Sequence, residues 1–263
     1  MAVKDRNGPS RIGNTVVAIV SDIRIVEHDE KLASEVADFF IRSAGEAKSR
    51  QFRVALSGGS TPSKLYRLLA GTDRANRVKW PHVQFYFGDE RCVPPDHAES
   101  NFKLANDALF QPLGIGAAQI FRIEGEAGQP GLAARHYEET IRQQFGTSSP
   151  AWPQFDVIFL GLGDDGHTAS LFPGSPALDE KIRAVVVSES PRGVTHRITF
   201  TAPLINHASS IVFMVTGLQK APAVRAVLED DTVETTHYPA KLIQPIEGHL
   251  IWYLDRAAAS ALT

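Results

Sequence analysis

Residues 155–167 read Phe-Asp-Val-Ile-Phe-Leu-Gly-Leu-Gly-Asp-Asp-Gly-His: an unbroken apolar run that stops dead at a glycine-rich turn. The same join recurs along the chain. Val-Ala-Leu (54–56) runs into Ser57-Gly58-Gly59-Ser60-Thr61-Pro62, Phe-Tyr-Phe (85–87) into Gly88-Asp89-Glu90-Arg91, and Phe-Met-Val-Thr (213–216) into Gly217. Strands that are apolar on nearly every residue are buried on both faces, as happens in a mainly parallel sheet covered by helices. Helical patterns alternate with these runs: Asp29 to about Arg50 with Leu32, Val36, Phe39 and Phe40 on one side, 62–70, Ser100 to about Phe110, 131–145, and 218–229 interrupted early by Pro222. Further strands are expected at 16–28, 184–190, 197–201 and 248–255. The predicted fold is α/β, a Rossmann-like, mainly parallel sheet flanked by helices on both faces, with residues 1–263 forming one domain. In such sheets ligands bind at the strands' carboxyl ends, so these loops should converge on one site.

Composition narrows the classes. The chain has 263 residues, with 43% hydrophobic and 22% charged, both ordinary for a globular protein. Its formal charge of −3 offers no global attraction to nucleic acid or anionic lipid. Cys92 is the only cysteine, so no intrachain disulfide forms and a reducing compartment is the natural setting. The first residues lack an apolar stretch of signal-peptide length, and no segment approaches the roughly 18 apolar residues of a membrane span. A cytoplasmic protein is expected. The segment 88–101, GDERCVPPDHAESN, reads as irregular, and a loop that long in a compact domain is usually functional.

Two loops carry chemistry on their residues alone. In 57–62 two glycines let backbone N–H groups approach an anion, the hydroxyls of Ser57, Ser60 and Thr61 add donors, and Thr61-Pro62 reads as the N-cap and first residue of a helix whose dipole favours phosphate. A plain strand-to-helix turn is the alternative. No Gly-Lys-Ser/Thr follows, so this is not a Walker loop. The 161–166 loop contains G-x-G-x-x-G, but Asp164 and Asp165 would sit where a pyrophosphate belongs, and Pro173 arrives too soon for a full helix. The other reading is that its glycines expose His167 as a general base two residues after an acid. A loop histidine bonded to backbone would look the same. The remaining histidines show no zinc-ligand spacing, so no metal site is expected, and Cys92 reads as a packed thiol.

Five ordered blocks carry a resemblance: VALSGGSTP, FYFGDERCVP with Ser100-Asn101, DVIFLGLGDDGHTASLFPG, HRITFT and VTGLQKAPAVRAVL. The chain resembles the glucosamine-6-phosphate isomerase/6-phosphogluconolactonase family, and Thr168-Ala169-Ser170-Leu171 after the histidine resembles the lactonase branch. The resemblance implies a sugar-phosphate isomerase/deaminase-like fold and hydrolysis of a sugar-phosphate lactone, 6-phospho-D-glucono-1,5-lactone, to 6-phosphogluconate in the pentose phosphate pathway. It implies His167 as the base that activates water, Asp165 as its orienting acid, and Arg91 facing the sugar end as the candidate for the oxyanion. Gly58, Gly59, Ser60 and Thr61 match the phosphate loop, with Arg197 and Lys220 as its cations. No cofactor, no metal, no nucleic acid and no membrane partner is implied. The rivals are an amino-sugar-phosphate deaminase/isomerase and a non-catalytic sugar-phosphate sensor. The chain departs from the family pattern at Pro239-Ala240-Lys241, where a lysine replaces a small residue.

Overall fold

The structure is a computed structural model that describes residues 4–12, 15–47 and 50–263. Its main sheet has seven strands in the order β1-β2-β10-β9-β6-β3-β4. These are β1 (Lys4–Ile12), β2 (Thr15–Val26), β3 (Phe52–Leu56), β4 (Val83–Phe87), β6 (Val157–Leu160), β9 (Ser210–Val215) and β10 (His249–Asp255). All neighbours run parallel except β1, which pairs antiparallel with β2 at the edge. The mainly parallel sheet expected from the apolar runs is present. The two strand-like stretches at 16–28 are one strand, and β1 lies in residues that showed no strand pattern.

Sheet order locates the site. β4 and β6 flank β3 on opposite sides. The crossover from β3 to β4 runs through α2 (Ser60–Ala70), and that from β4 to β6 through α3 (Pro130–Phe145). Right-handed crossovers in opposite directions put these helices on opposite faces and leave a crevice above the carboxyl ends of β3 and β6. The loops 57–61 and 161–167 border that crevice.

The core is built as the sequence pattern requires. β6 is buried at every position, and β3 and β4 at every position but one. In α1 (Asp29–Glu46) Leu32, Val36 and Phe40 form the buried stripe, with Phe39 at its margin. Phe213 and Trp252 stack across β9 and β10 at 3.8 Å between centroids. The last helix, α4 (Ala221–Leu228), holds Pro222 in its first turn, where proline's missing N–H costs nothing.

Several expectations are corrected. His28 rather than Asp29 caps α1, accepting from the Lys31 N–H at 3.2 Å, and the helix ends at Glu46. Ser100 does cap a helix, but after Asn101–Ala105 the chain widens into a π turn over Asn106–Phe110. The 88–101 segment is not wholly irregular. It contains β5 (Asp89–Arg91), which joins β7 (Val185–Glu189) and β8 (His196–Phe200) in a separate antiparallel sheet of order β5-β8-β7. The apolar runs at 184–190 and 197–201 therefore build a second sheet instead of extending the first. No helix among the described residues is long and apolar enough to cross a membrane.

Candidate active site

Beyond β6 the chain folds into a tight turn. The Gly163 N–H donates to the His167 carbonyl at 2.8 Å, the Gly166 N–H to the Gly163 carbonyl at 3.0 Å, and Thr168 Oγ1 to the Gly161 carbonyl at 2.9 Å. No α-helix starts at Gly166, so the loop lacks the helix N-terminus that a dinucleotide pyrophosphate needs. The turn presents His167 instead. Asp165 Oδ1 lies 2.5 Å from His167 Nδ1 and also accepts the His167 backbone N–H at 3.1 Å. Burial works against ionisation of Asp165, but the hydrogen bonds and charge of His167 hold its carboxyl down at about 2. An ionised carboxylate only accepts, so Nδ1 carries a proton, and in the neutral imidazole Nε2 is the nitrogen that presents a lone pair. Among the described residues nothing hydrogen-bonds to Nε2, and the imidazole is about one-third exposed. Its seat is tight: a Cβ on Gly163 would lie 2.0 Å from Nδ1, and the Phe172 ring packs 4.7 Å from the imidazole.

This arrangement makes a prediction. Asp165 orients His167 and fixes its tautomer, so Asp165→Asn should lower kcat by about 10–10²-fold with KM nearly constant, less than the loss of the base itself. Steady-state kinetics at fixed pH check it. Unchanged kcat would leave Asp165 only a turn-former.

The loop after β3 is pinned by a tyrosine. Buried Tyr66 of α2 donates its hydroxyl to the Ser57 carbonyl at 2.7 Å and accepts the Ser57 N–H at 3.1 Å. Burial raises that phenol well above its usual range, so it stays neutral. Gly59, not Thr61, caps α2, which starts at Ser60. The Ser63 N–H is taken by the Gly59 carbonyl at 3.1 Å and Pro62 has none, so Ser60 and Thr61 supply the open amides of the first turn. That turn contains no acidic residue. Thr61 Oγ1 meets Thr216 Oγ1 at 2.8 Å, joining this loop to the end of β9.

The cations sit in two groups. Lys220, where α4 begins, places its ammonium 2.5 Å from Asp164 and so bridges to the His167 loop. Asp164 is 59% exposed, and such a pair contributes about 0–1 kcal/mol. Arg91 and Arg197 face each other in register across β5 and β8. Arg91 Nη1 donates to the Glu99 carbonyl. Nε of each guanidinium is buried without a hydrogen-bond partner, and neither has an acidic side chain within ion-pair distance among the described residues. Burial, then repulsion from Arg91, push Arg197 below the ordinary arginine range. The structure thus sets Arg91 opposite Arg197, and among the described residues no hydrogen bond or ion pair joins it to the Asp165–His167 pair.

A buried polar cluster went unread in the sequence. Asp89 accepts from Ser170 Oγ at 2.6 Å and Asn101 Nδ2 at 3.1 Å, and Ser170 N–H donates to Thr199 Oγ1 at 3.1 Å. The Asn101 side chain lies against Gly58. This ties the phosphate-type loop, the GDER strand and the segment after His167 into one unit. Glu90 does structural work beside it, accepting from the backbone N–H groups of Arg91, Asn101 and Phe102 at 2.7–2.8 Å. Burial, then Glu90, raise the Cys92 thiol to about 11, which suits a packed thiol and not a nucleophile.

The family model described as glucosamine-6-phosphate isomerases/6-phosphogluconolactonase matches residues 27–252. A 6-phosphogluconolactonase of Nostoc sp. is 36% identical over 243 residues, covering 92% of this chain and 98% of that one. The 6-phosphogluconolactonase of Rattus norvegicus is 37% identical over 250 residues, covering 92% and 93%. The solved structure of 6-phosphogluconolactonase from Trypanosoma cruzi superposes with a TM-score of 0.82 at 30% identity, covering 92% of this chain and 96% of that one.

Proposed function

The chain belongs to the glucosamine-6-phosphate isomerase/6-phosphogluconolactonase family, and from that premise we propose that it hydrolyses 6-phospho-D-glucono-1,5-lactone to 6-phosphogluconate in the cytoplasm. The observation that carries the reading is the Asp165–His167 pair at the switch-point crevice, with Nδ1 engaged and Nε2 open.

His167 Nε2 takes a proton from water as the water oxygen adds to the lactone carbonyl carbon. The imidazolium then returns that proton to the ring oxygen as the bond from carbon to ring oxygen breaks. Asp165 holds the imidazole and stabilises its charged form. At the far end of the substrate, Gly58, Gly59, Ser60 and Thr61 supply open amides and hydroxyls for the phosphate, and Lys220, bridged to Asp164, a positive charge. Arg197 supplies a fixed one. Because Arg91 lies beside Arg197, we assign its charge to the same anion and not to the oxyanion. Phosphate binding, remote from the bond that breaks, serves orientation.

The deciding assay uses freshly generated lactone, corrected for spontaneous opening. Ammonia release from glucosamine 6-phosphate would favour the deaminase, and stabilisation by 6-phosphogluconate without turnover would favour a sensor. Activity should also persist undiminished in excess EDTA. The metal-type cluster found among the described residues, His28, Asp29 and Glu30, lies at the start of α1, where Lys64 already pairs with both acids. Loss of activity on chelation with recovery on adding a divalent ion would make His167 a ligand instead of the base.

A further inference from the structure

The fold gives Lys241 a place in the machinery around His167. The segment that carries it lies on the catalytic loop. The Gly166 carbonyl accepts the Ala240 N–H at 2.9 Å. Gly166 itself adopts φ +75°, and a Cβ there would come 2.3 Å from Tyr238 Cδ1, so the tyrosine ring closes directly over this residue. Only glycine meets both demands. On the other side of His167, the Gly174 N–H donates to the Thr236 carbonyl at 3.1 Å. The backbone on either side of the histidine is thus pressed by residues 236–240.

That segment must itself be held. At its far end Asn206 Nδ2 donates to the Leu242 carbonyl at 2.8 Å and Asn206 Oδ1 accepts the Gln244 N–H at 2.8 Å. Between that anchor and residues 236–240, the Lys241 ammonium donates to the carbonyls of Ala226, at 3.4 Å, and Asp230. Ala226 is in the last turn of α4, where carbonyls lack intrahelical partners and a cation is favoured. The opposite end of α4 starts beside Lys220, whose ammonium holds Asp164 of the catalytic loop. The contacts close on themselves: loop 161–167 to Lys220, along α4 to Lys241, and back through Ala240 and Tyr238 to Gly166.

We propose that Lys241 is a positioning residue for His167, closing this brace by fastening the 236–240 segment to the end of α4. Its kinetic consequence rests on the reading of His167 as the base, whereas its effect on the loop backbone does not. A lysine that merely satisfied two carbonyls would lower overall stability and leave kcat alone.

The test uses the full chain with Lys241→Met, which keeps the length and removes the charge, and Lys241→Arg, which restores donors. Hydrogen exchange in peptides spanning 161–175 and 236–243 should quicken about tenfold in the methionine variant and return towards wild type in the arginine variant, with β3 and β9 unchanged, as for a local opening. kcat should fall about tenfold at constant KM, short of the roughly 10²-fold cost of a full 1 Å misplacement. Tyr238→Leu, which leaves α4 untouched, should reproduce the loop effect. Unchanged loop exchange, an equal rise in β3 and β9, or wild-type kcat in Lys241→Met would overturn the proposal. Were the wild type to hydrolyse no lactone, the lactonase reading would fall, and the exchange pattern would still decide for or against the brace.

Discussion

His167→Asn or His167→Ala should lower kcat by at least about 10²-fold with KM little changed, the pattern expected when a group acting only in the transition state is removed. The expectation follows from atoms. Asp165 is held ionised and accepts the Nδ1–H hydrogen bond, so in the neutral imidazole Nε2 is the nitrogen left with a lone pair. Neither alanine nor asparagine supplies a base there. KM is spared because the groups proposed for the phosphate, on the loop after β3 and on β5, β8 and the start of α4, are separate from the imidazole. The lactone opens unaided at a measurable rate, so initial rates must be corrected for the blank, and circular dichroism must show the variant folded. Near-native turnover in a folded variant would remove His167 from the mechanism.

How far the sequence carried this reading depends on the range of the interactions involved. The sheet and its carboxyl-end loops were legible because a strand buried on both faces writes itself as an uninterrupted apolar run, and because the turn after it must be glycine-rich. His167 and Asp165 were legible for a related reason: they are two residues apart, in a loop whose glycines exclude a helix of their own making. What failed was long-range. β7 and β8 pair with each other locally, but nothing in 184–201 tells that β8 then leaves the main sheet to pair with three residues of the GDER segment, whose positions lie more than a hundred residues away. The Arg91–Arg197 juxtaposition is a product of that same pairing and could not be seen without it. Asp89, Asn101 and Ser170 come from three separate segments, and each alone looks like an ordinary polar loop residue. Thr61 reads as the cap because its hydroxyl suits that position, but Gly59 at positive φ holds it two residues earlier without a side-chain oxygen. Tyr238 left no signal at all, because its role depends on the one glycine it covers.

Arg197→Ala should raise KM for the phosphorylated lactone about tenfold to a hundredfold, equivalent to about 1.5–3 kcal/mol for a charge-assisted contact, with kcat changed much less. Arg197 is 8% exposed, lies opposite another arginine, and has an Nε with no partner. Like charges directly opposite across paired strands destabilise the pairing, and burial adds a desolvation penalty that the charges of Asp89, Glu99 and Glu90 offset only in part. These conditions are the ones that support the proposed phosphate role of Arg197. The unliganded protein should therefore lose little thermal stability in Arg197→Ala, or gain some, whereas the stabilisation conferred by 6-phosphogluconate should largely disappear. A purely structural arginine gives the reverse: a lower melting temperature without ligand and an unaltered shift with it. Unphosphorylated gluconolactone supplies the control. It should be a poor substrate for the wild type and nearly indifferent to the substitution, since it lacks the group Arg197 meets. Equal hydrolysis of the two lactones by the wild type would end the phosphate-site assignment, because the cations at Arg91, Arg197 and Lys220 would then have no anion to distinguish.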